Sequence, residues 1–262
     1  MKNILLLVHG DAGLESRVRA ALDLTRGLNA HLTCVDLTIP TLSPGADPLF
    51  GAMLLEPETR GEAQTAARER VECSGLPFQW VERHGDLGTE LAHFASFADI
   101  LVLSSPKDVP FPDMHRATGD FLLKAKKPVL VVPASVTGMA VNGEALLLWD
   151  GSDQASAAMR AAMPLFRRAA SVTILEIDDG SLEIPATVAA THLSQHGITS
   201  SVRRDGAFGE KTGQVIIEQI ELLKPAYAVM GGFGRSRLVE SLFGGVTERL
   251  LTDSPVPLFL KH

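Results

Sequence analysis

The residues best suited to chemistry lie near the carboxyl end of this 262-residue chain. Met230-Gly231-Gly232-Phe233-Gly234-Arg235-Ser236-Arg237 leaves an apolar run with three glycines and two arginines, and Gly244-Gly245-Val246-Thr247 opens the next helical pattern. Glycines let backbone N–H groups approach an anion without interference from a Cβ, and a helix N-terminus adds unpaired donors with partial positive charge. The chemistry these residues would do is to hold a polyphosphate. Trp149-Asp150-Gly151-Ser152 and Ile177-Asp178 stand at two further strand ends, the place where open α/β sheets bind their ligands.

Other constellations are weaker. Gly206-Ala207-Phe208-Gly209-Glu210-Lys211-Thr212 follows a strand and ends in Lys-Thr, but its first glycine is one position too close to the lysine and Glu210 stands where a P-loop needs glycine. It reads as an ordinary strand–helix turn with Gly209 near the helix start. Neither half carries GxGxxG after its first strand, which argues against NAD or FAD. Of the eight histidines, His192 and His196 are spaced to share a helix face, without the glutamate of a zinc-protease motif. They read as a solvated face, and no metal site is expected.

The elements that must position these residues form a diverged repeat. Leu5-Leu6-Leu7-Val8-His9-Gly10 aligns with Leu146-Leu147-Leu148-Trp149-Asp150-Gly151, an offset of 141 residues that continues through Arg19-Ala20-Ala21-Leu22 and Arg160-Ala161-Ala162-Met163. After a one-residue slip Leu32–Asp36 matches Val172–Glu176, Arg83–Gly88 resembles Arg204–Gly209, and Lys127–Val132 parallels Val256–Leu260. Short apolar runs predict buried parallel strands over 3–8, 31–37, 78–83, 99–104 and 128–132, then 144–149, 171–177, 198–203, 226–231 and 256–260. Between them, Asp153 is the expected N-cap of a helix carrying Ala157, Ala158, Ala161 and Ala162, which Pro164 tightens without ending. Val215, Ile216, Ile217 and Ile220 face the core from a later helix. The Pro/Gly stretch from Pro40 to Gly51 is a loop, and Pro133–Gly138 has linker composition. Strand–helix alternation thus predicts two doubly wound α/β domains, 1–137 and 138–262.

The spacing of Gly231, Gly234 and Gly244, G-x-x-G then nine residues then G, resembles the nucleotide-binding signature of the universal stress protein family. Asp150-Gly151-Ser152 before an alanine-rich helix is similar to that family's opening, and the likeness covers the second half and, more weakly, the first. The resemblance, to a tandem member, implies two flavodoxin-like five-stranded parallel sheets of order 3-2-1-4-5, paired as an intrachain pseudo-dimer through 128–132 and 256–260. It implies an adenine nucleotide (ATP, ADP or AMP, with or without Mg) in the second half. The backbone of Ile177 would meet the adenine and Asp150 the adenosine portion. Gly231 and Gly234 would line ribose and phosphates, and Gly244, Gly245, Val246 and Thr247 would offer donors to the phosphates. Gly245 departs from the family's Ser or Thr, a loss that Arg235 or Arg237 would offset. The first half departs further: His9 replaces Asp150 and Ser104-Ser105-Pro106-Lys107 replaces the glycine turn, so it is expected to bind no nucleotide. Its Pro106–Pro112 loop would serve packing or partner recognition.

ATP hydrolysis requires a positioned water and an orienting group. Asp150 and Glu248 are the candidates, but Asp150 is assigned to adenosine and Glu248 lies within a helix, so a nucleotide-binding stress-response regulator is favoured over an enzyme. Slow ATP turnover, or a nucleotide-free interaction module, are the alternatives. A net charge of −7 offers no field for nucleic acid or anionic membranes. Cys34 and Cys73 form no framework or CxxC pair, fitting a reduced cytoplasmic chain, and Ile4–Val8 is too short for a membrane span. A homodimer is compatible with the sequence.

Overall fold

The computed structural model describes residues 1–38, 61–85, 87–109, 127–178, 182, 184–206, 212–232 and 245–262. The elements run β1 (Asn3–Val8), α1 (Leu14–Leu28), β2 (His31–Thr38), α2 (Glu62–Glu72), β3 (Phe78–His84), α3 (Leu87–Ala95), β4 (Ile100–Ser104), a 3₁₀ turn (Pro106–Asp108) and β5 (Val129–Val132). The second half repeats them as β6 (Glu144–Trp149), α4 (Asp153–Phe166), β7 (Ser171–Asp178), α5 (Ala186–Gln195), β8 (Ser200–Gly206), α6 (Thr212–Leu223), β9 (Tyr227–Gly231), α7 (Gly245–Asp253) and β10 (Leu258–Lys261).

All ten predicted strands form. They make one ten-stranded sheet of order β3-β2-β1-β4-β5-β10-β9-β6-β7-β8, which is 3-2-1-4-5 twice, joined where β5 and β10 pair antiparallel with Phe259 opposite Leu130. This junction turns the inner edge of each half into an interior ladder, so among the described residues only β3 and β8 remain as edges. Both edges carry charge, with Glu82 and Arg83 on one and Arg203 and Arg204 on the other. Central strands are buried on both faces and read as unbroken apolar runs, whereas β3 alternates half-buried with exposed residues. Helices α1, α2, α4 and α5 cover one face, and α3, α6 and α7 the other; each face carries one apolar cluster that spans both halves.

Three details correct the sequence reading. The N-cap of α4 is Ser152, whose Oγ accepts the N–H of Ala155 at 3.1 Å, and Asp153 is instead the first helical residue. A hydroxyl one residue earlier reaches the third N–H, and it leaves the carboxylate of Asp153 beside the positive helix end. Strand β8 begins at Ser200 rather than 198, because Ile198 closes the preceding turn through its N–H to Leu193 O, and it extends to Gly206, which pairs with Asp178. Through the ladders Phe78 and Ser200 are equivalent, so His84, not Gly85, stands where Gly206 stands. The similarity of Arg83–Gly88 to Arg204–Gly209 is therefore offset by one residue, a slip that would turn every side chain to the other face. Ala157 is only half-buried, while Ala158 and Ala162 reach the core. Pro164 does lie inside α4, which runs on to Phe166. The loop predicted at Pro40–Gly51 lies outside the described residues.

Both cysteines are free. Burial, and then the Asp36 charge, push the Cys34 thiol up to about 12, so it behaves as a small core hydrophobe. No helix among the described residues is long and apolar enough to cross a membrane.

Candidate functional site

In the second half the strand order reverses between β6 and β9, with β7 on the far side of β6. Trp149 lies opposite Glu176 in the parallel ladder, so the next residue, Asp150, is level with Ile177. The β6–β9 ladder pairs Leu147 with Val229, which brings Gly231 level with Trp149. Neighbouring strands are about 4.8 Å apart, so Asp150, Ile177 and Gly231 share one end of three adjacent strands within about 10 Å.

Asp150 is exposed, and a turn through Gly151, at φ 75°, presents it. Its Oδ1 accepts the N–H of Ser152 at 3.0 Å and the hydroxyl of Ser152 at 2.6 Å, while that same Oγ caps α4. One carboxylate oxygen is thus fixed to the chain, and Oδ2 has no protein partner among the described residues. Ile177 buries its side chain at 6% exposure, leaving its backbone for any ligand contact.

Gly231 has a second reason to be glycine. A Cβ there would stand 2.6 Å from both the Ala155 N and the Gln154 carbonyl carbon, so the first turn of α4 closes on the end of β9 only because the side chain is absent. Its retention therefore says nothing for or against phosphate. Gly232 donates its N–H to Lys261 O, and His262 Nδ1 lies 3.1 Å from its carbonyl. Gly234, Arg235, Arg237 and Gly244 lie outside the described residues, as does the turn over residues 207–211.

The first turn of α7 carries the other end of the signature. Gly245 is exposed, and a Cβ there would meet no described residue within 4 Å. The missing hydroxyl is thus not imposed by crowding from any described residue. Val246 packs against the apolar cluster of its face, so only its N–H is available, and Thr247 is buried at 6% exposure. Glu248 is exposed in the same turn, where a carboxylate favours the helix but opposes a bound anion.

The first half fills the equivalent place with its own side chains. Arg17, aligned with Ala158, is fully buried. Its guanidinium donates to Leu7 O at 2.7 Å, to His9 O at 3.2 Å, to Asp11 Oδ1 at 3.0 Å and Oδ2 at 2.9 Å, and to Ser104 Oγ. Sequence reading overlooked this cluster, although an arginine on an otherwise apolar helix face was its signal. Gly13 packs against Ser104, where a Cβ would stand 2.8 Å from the serine Cβ. A cleft of about 720 Å³ remains above, lined by Glu62 and Asp108 beside His9 and Lys107, with the Asp11 charge already met by Arg17. The turn at Pro106 packs: Asp108 Oδ2 accepts the Ala134 N–H at 2.8 Å, and Val109 is buried. Pro110–Pro112 lie outside the described residues.

Asp36 and Glu176 occupy matching places on β2 and β7. Asp36 accepts from Gln64 Nε2 and Trp80 Nε1, and Glu176 from Ala186 N–H and Arg204 Nε, so each acid ties the start of the following helix to its strand. His192 and His196 meet edge to face, with ring centroids 4.8 Å apart. No cluster of three or more His, Cys, Asp or Glu that could hold a metal occurs among the described residues.

No protein-family model matches the chain, and no curated protein matches it. Solved structures do. A universal stress protein from Archaeoglobus fulgidus DSM 4304 superposes with a TM-score of 0.71 at 16% identity, covering 99% of this chain and 95% of its own. A functionally unknown protein from Pseudomonas aeruginosa PAO1 matches with a TM-score of 0.60 at 15% identity over 100% of this chain and 92% of its own. The cytoplasmic domain of a prokaryotic cation chloride cotransporter matches at 0.53 and 12% identity, over 99% and 95%. At these identities the likeness establishes the fold, and the cotransporter domain illustrates that one fold serves different ends.

Proposed function

We propose that this chain, which has the fold of the tandem universal stress proteins, is a stress-response regulator that binds one adenine nucleotide in residues 138–262 and none in residues 1–137. The observation that supports this most is the contrast at the two switch points. In the second half a carboxylate oxygen of Asp150 stands free of the described residues, level with the backbone of Ile177 and near Gly231 and Gly232. In the first half Arg17 and Asp11 fill the same space. Asp150 would accept from the adenosine portion and Ile177 would meet the base through its backbone. Gly231 and Gly234 would leave room for ribose and phosphates. The first-turn N–H groups of α7, from Gly245 to Thr247, would take phosphate oxygens, with Gly244 and Arg235 supplying the donors that Gly245 lacks. Mg would arrive with the triphosphate rather than be held by the chain. The location is the cytoplasm, and a homodimer would have to form away from β5 and β10, which already pair with each other.

The test is mass spectrometry of nucleotide released from freshly purified, denatured protein, with calorimetric titration of Mg-ATP and a Gly234→Val control. The expected result is close to one adenine nucleotide per chain, lost in the control. Two per chain overturns the asymmetry. None, with no binding at millimolar Mg-ATP, favours the second reading, an interaction module without nucleotide, for which the hydroxyl-free Gly245 speaks. Multiple-turnover phosphate release abolished by Asp150→Ala would move the chain into the enzyme class.

A further inference from the structure

One buried side-chain hydrogen bond crosses from the first half to the helix that carries the phosphate donors of the second. Helix α7 is nine residues long and ends at Asp253. The carbonyl of Leu251 would ordinarily be capped by the N–H four residues on, but that residue is Pro255, which has none. Leu251 is 1% exposed, so water does not replace the missing donor. Ser105 does: its Oγ donates to Leu251 O at 2.8 Å, and Ser105 is itself 1% exposed.

The hydroxyl is aimed by a fixed backbone. The N–H of Ser105 bonds to Val132 O at 3.1 Å, and its carbonyl accepts from Asp108 N at 2.9 Å in the 3₁₀ turn. The equivalent backbone bond in the second half, from Gly232 N to Lys261 O, is kept, but glycine carries no hydroxyl there. The serine hydroxyl therefore belongs to the first half alone at this pair of positions. A helix of this length is about 13 Å from end to end and moves as a rigid rod. Holding the Leu251 end consequently sets where the N–H groups of Gly245, Val246 and Thr247 stand relative to β9.

We infer that Ser105 is a positioning residue: the half that binds no nucleotide braces α7 so that its first turn meets phosphate. The inference rests on the nucleotide reading above. Because α7 would touch only phosphates, the brace acts on ATP and not on adenosine, a distinction that a general loss of stability would not produce.

The test compares full-length wild type, Ser105→Ala and the milder, nearly isosteric Ser105→Cys by calorimetry with Mg-ATP and with adenosine, and by hydrogen exchange of residues 246–253 without ligand. The expected results are a roughly 3- to 10-fold weaker affinity for ATP in Ser105→Ala, in line with the loss of one buried hydrogen bond, an intermediate loss in Ser105→Cys, unchanged adenosine affinity, and faster exchange across α7. Equal weakening of ATP and adenosine overturns the inference, as does unchanged ATP affinity in variants whose α7 exchanges faster. A wild type that binds neither ligand overturns the nucleotide reading and the inference with it. Unchanged exchange with intact wild-type binding overturns the brace alone. If Ser105→Ala does not fold, Ser105→Cys carries the same comparison.

Discussion

The two switch points solve one packing problem in opposite ways. In each half the helix after the first strand starts against the end of the fourth strand, and the two backbones come too close for a Cβ on both. The second half omits it on the strand, at Gly231 against Gln154 and Ala155; the first omits it on the helix, at Gly13 against Ser104. Placing the side chain on the strand puts a hydroxyl in the crevice. Arg17 and Asp11 complete a hydrogen-bonded ion pair around it. The second half has Ala158, Ser152 and Gly231 at those three places, none of which carries a charge to fill the crevice. The first half thus uses its switch point for a buried ion pair, and the second half has no such pair among its described residues.

The largest test of this contrast is Arg17→Ala, which strands the Asp11 carboxylate at 1% exposure. Breaking a buried pair costs about 3–5 kcal/mol. The urea midpoint should fall accordingly, and Asp11→Ser added to it, copying the second half, should recover part of the loss. A double variant no better than the single would refute the ion-pair account.

The reciprocal glycines come next. Gly13→Ala should destabilise by about 1–3 kcal/mol through overpacking, and Ser104→Gly should rescue it. Gly231→Ala would press on the backbone of Gln154 and Ala155 as well as on the Gln154 Cβ, so Gln154→Gly should rescue it less fully than Ser104→Gly rescues Gly13→Ala, and ligand affinity should fall with it. Thermal unfolding of these variants decides this.

A smaller effect is expected of Gly245→Ser. The added hydroxyl meets no described residue and should tighten ATP severalfold, in line with about 0.5–1.5 kcal/mol for a neutral hydrogen bond, without moving adenosine. Calorimetry that shows no gain would mean that α7 does not face the phosphates.

Smaller still is Tyr227→Phe. Tyr227 stands where the first half has Ile100, and its fully buried hydroxyl has no hydrogen-bond partner among the described residues, so burial holds its pKa far above the phenol range. Removing the hydroxyl should leave stability unchanged or raise it by up to about 1 kcal/mol. A clear loss would reveal an unseen partner.

The last comparison is one of pH. Asp99, where the second half has Ala226, accepts N–H bonds from Lys2 and Asn3. Burial pushes its pKa up, but those bonds, the amino terminus and Lys127 outweigh it and hold it below the usual carboxylate value. Its contribution is therefore complete above the unfolded value of about 3.9 and is lost as pH falls through the lower folded value. Wild type should exceed Asp99→Asn in stability at neutral pH, and the difference should vanish in acid. A difference that persists there would assign it to packing.

Much of the fold was legible because buried parallel strands announce themselves as apolar runs and the repeat supplied each element twice. What escaped depended on single atoms. Ser152 and Asp153 are both good caps, and only the position of the Ala155 N–H chose between them. Arg83–Gly88 and Arg204–Gly209 look alike at an offset of 121 residues when read as strings, but ladder register makes the offset 122, since hydrogen-bond phase and not residue identity sets equivalence. Asp150 and the glycine spacing could be picked out because such residues at strand ends are few and match a known signature. The role of Ser152 in fixing Asp150 could not, since a serine in such a turn has many uses.

The sequence by itself determined the order of elements, their doubling, the position of the glycine signature and its absence from the first half. Each follows from local pattern: apolar runs of strand length, helical periodicity, and residues that permit or forbid a backbone approach. Only the tertiary structure decided that Gly231 is required by packing, that Arg17 closes the first crevice, and that Ser105 supplies the donor Pro255 withholds. Those facts join residues separated by 76, 87 and 146 positions in the chain. Contacts at such separations are set by how the sheet and its helices come together in space, which no local pattern encodes.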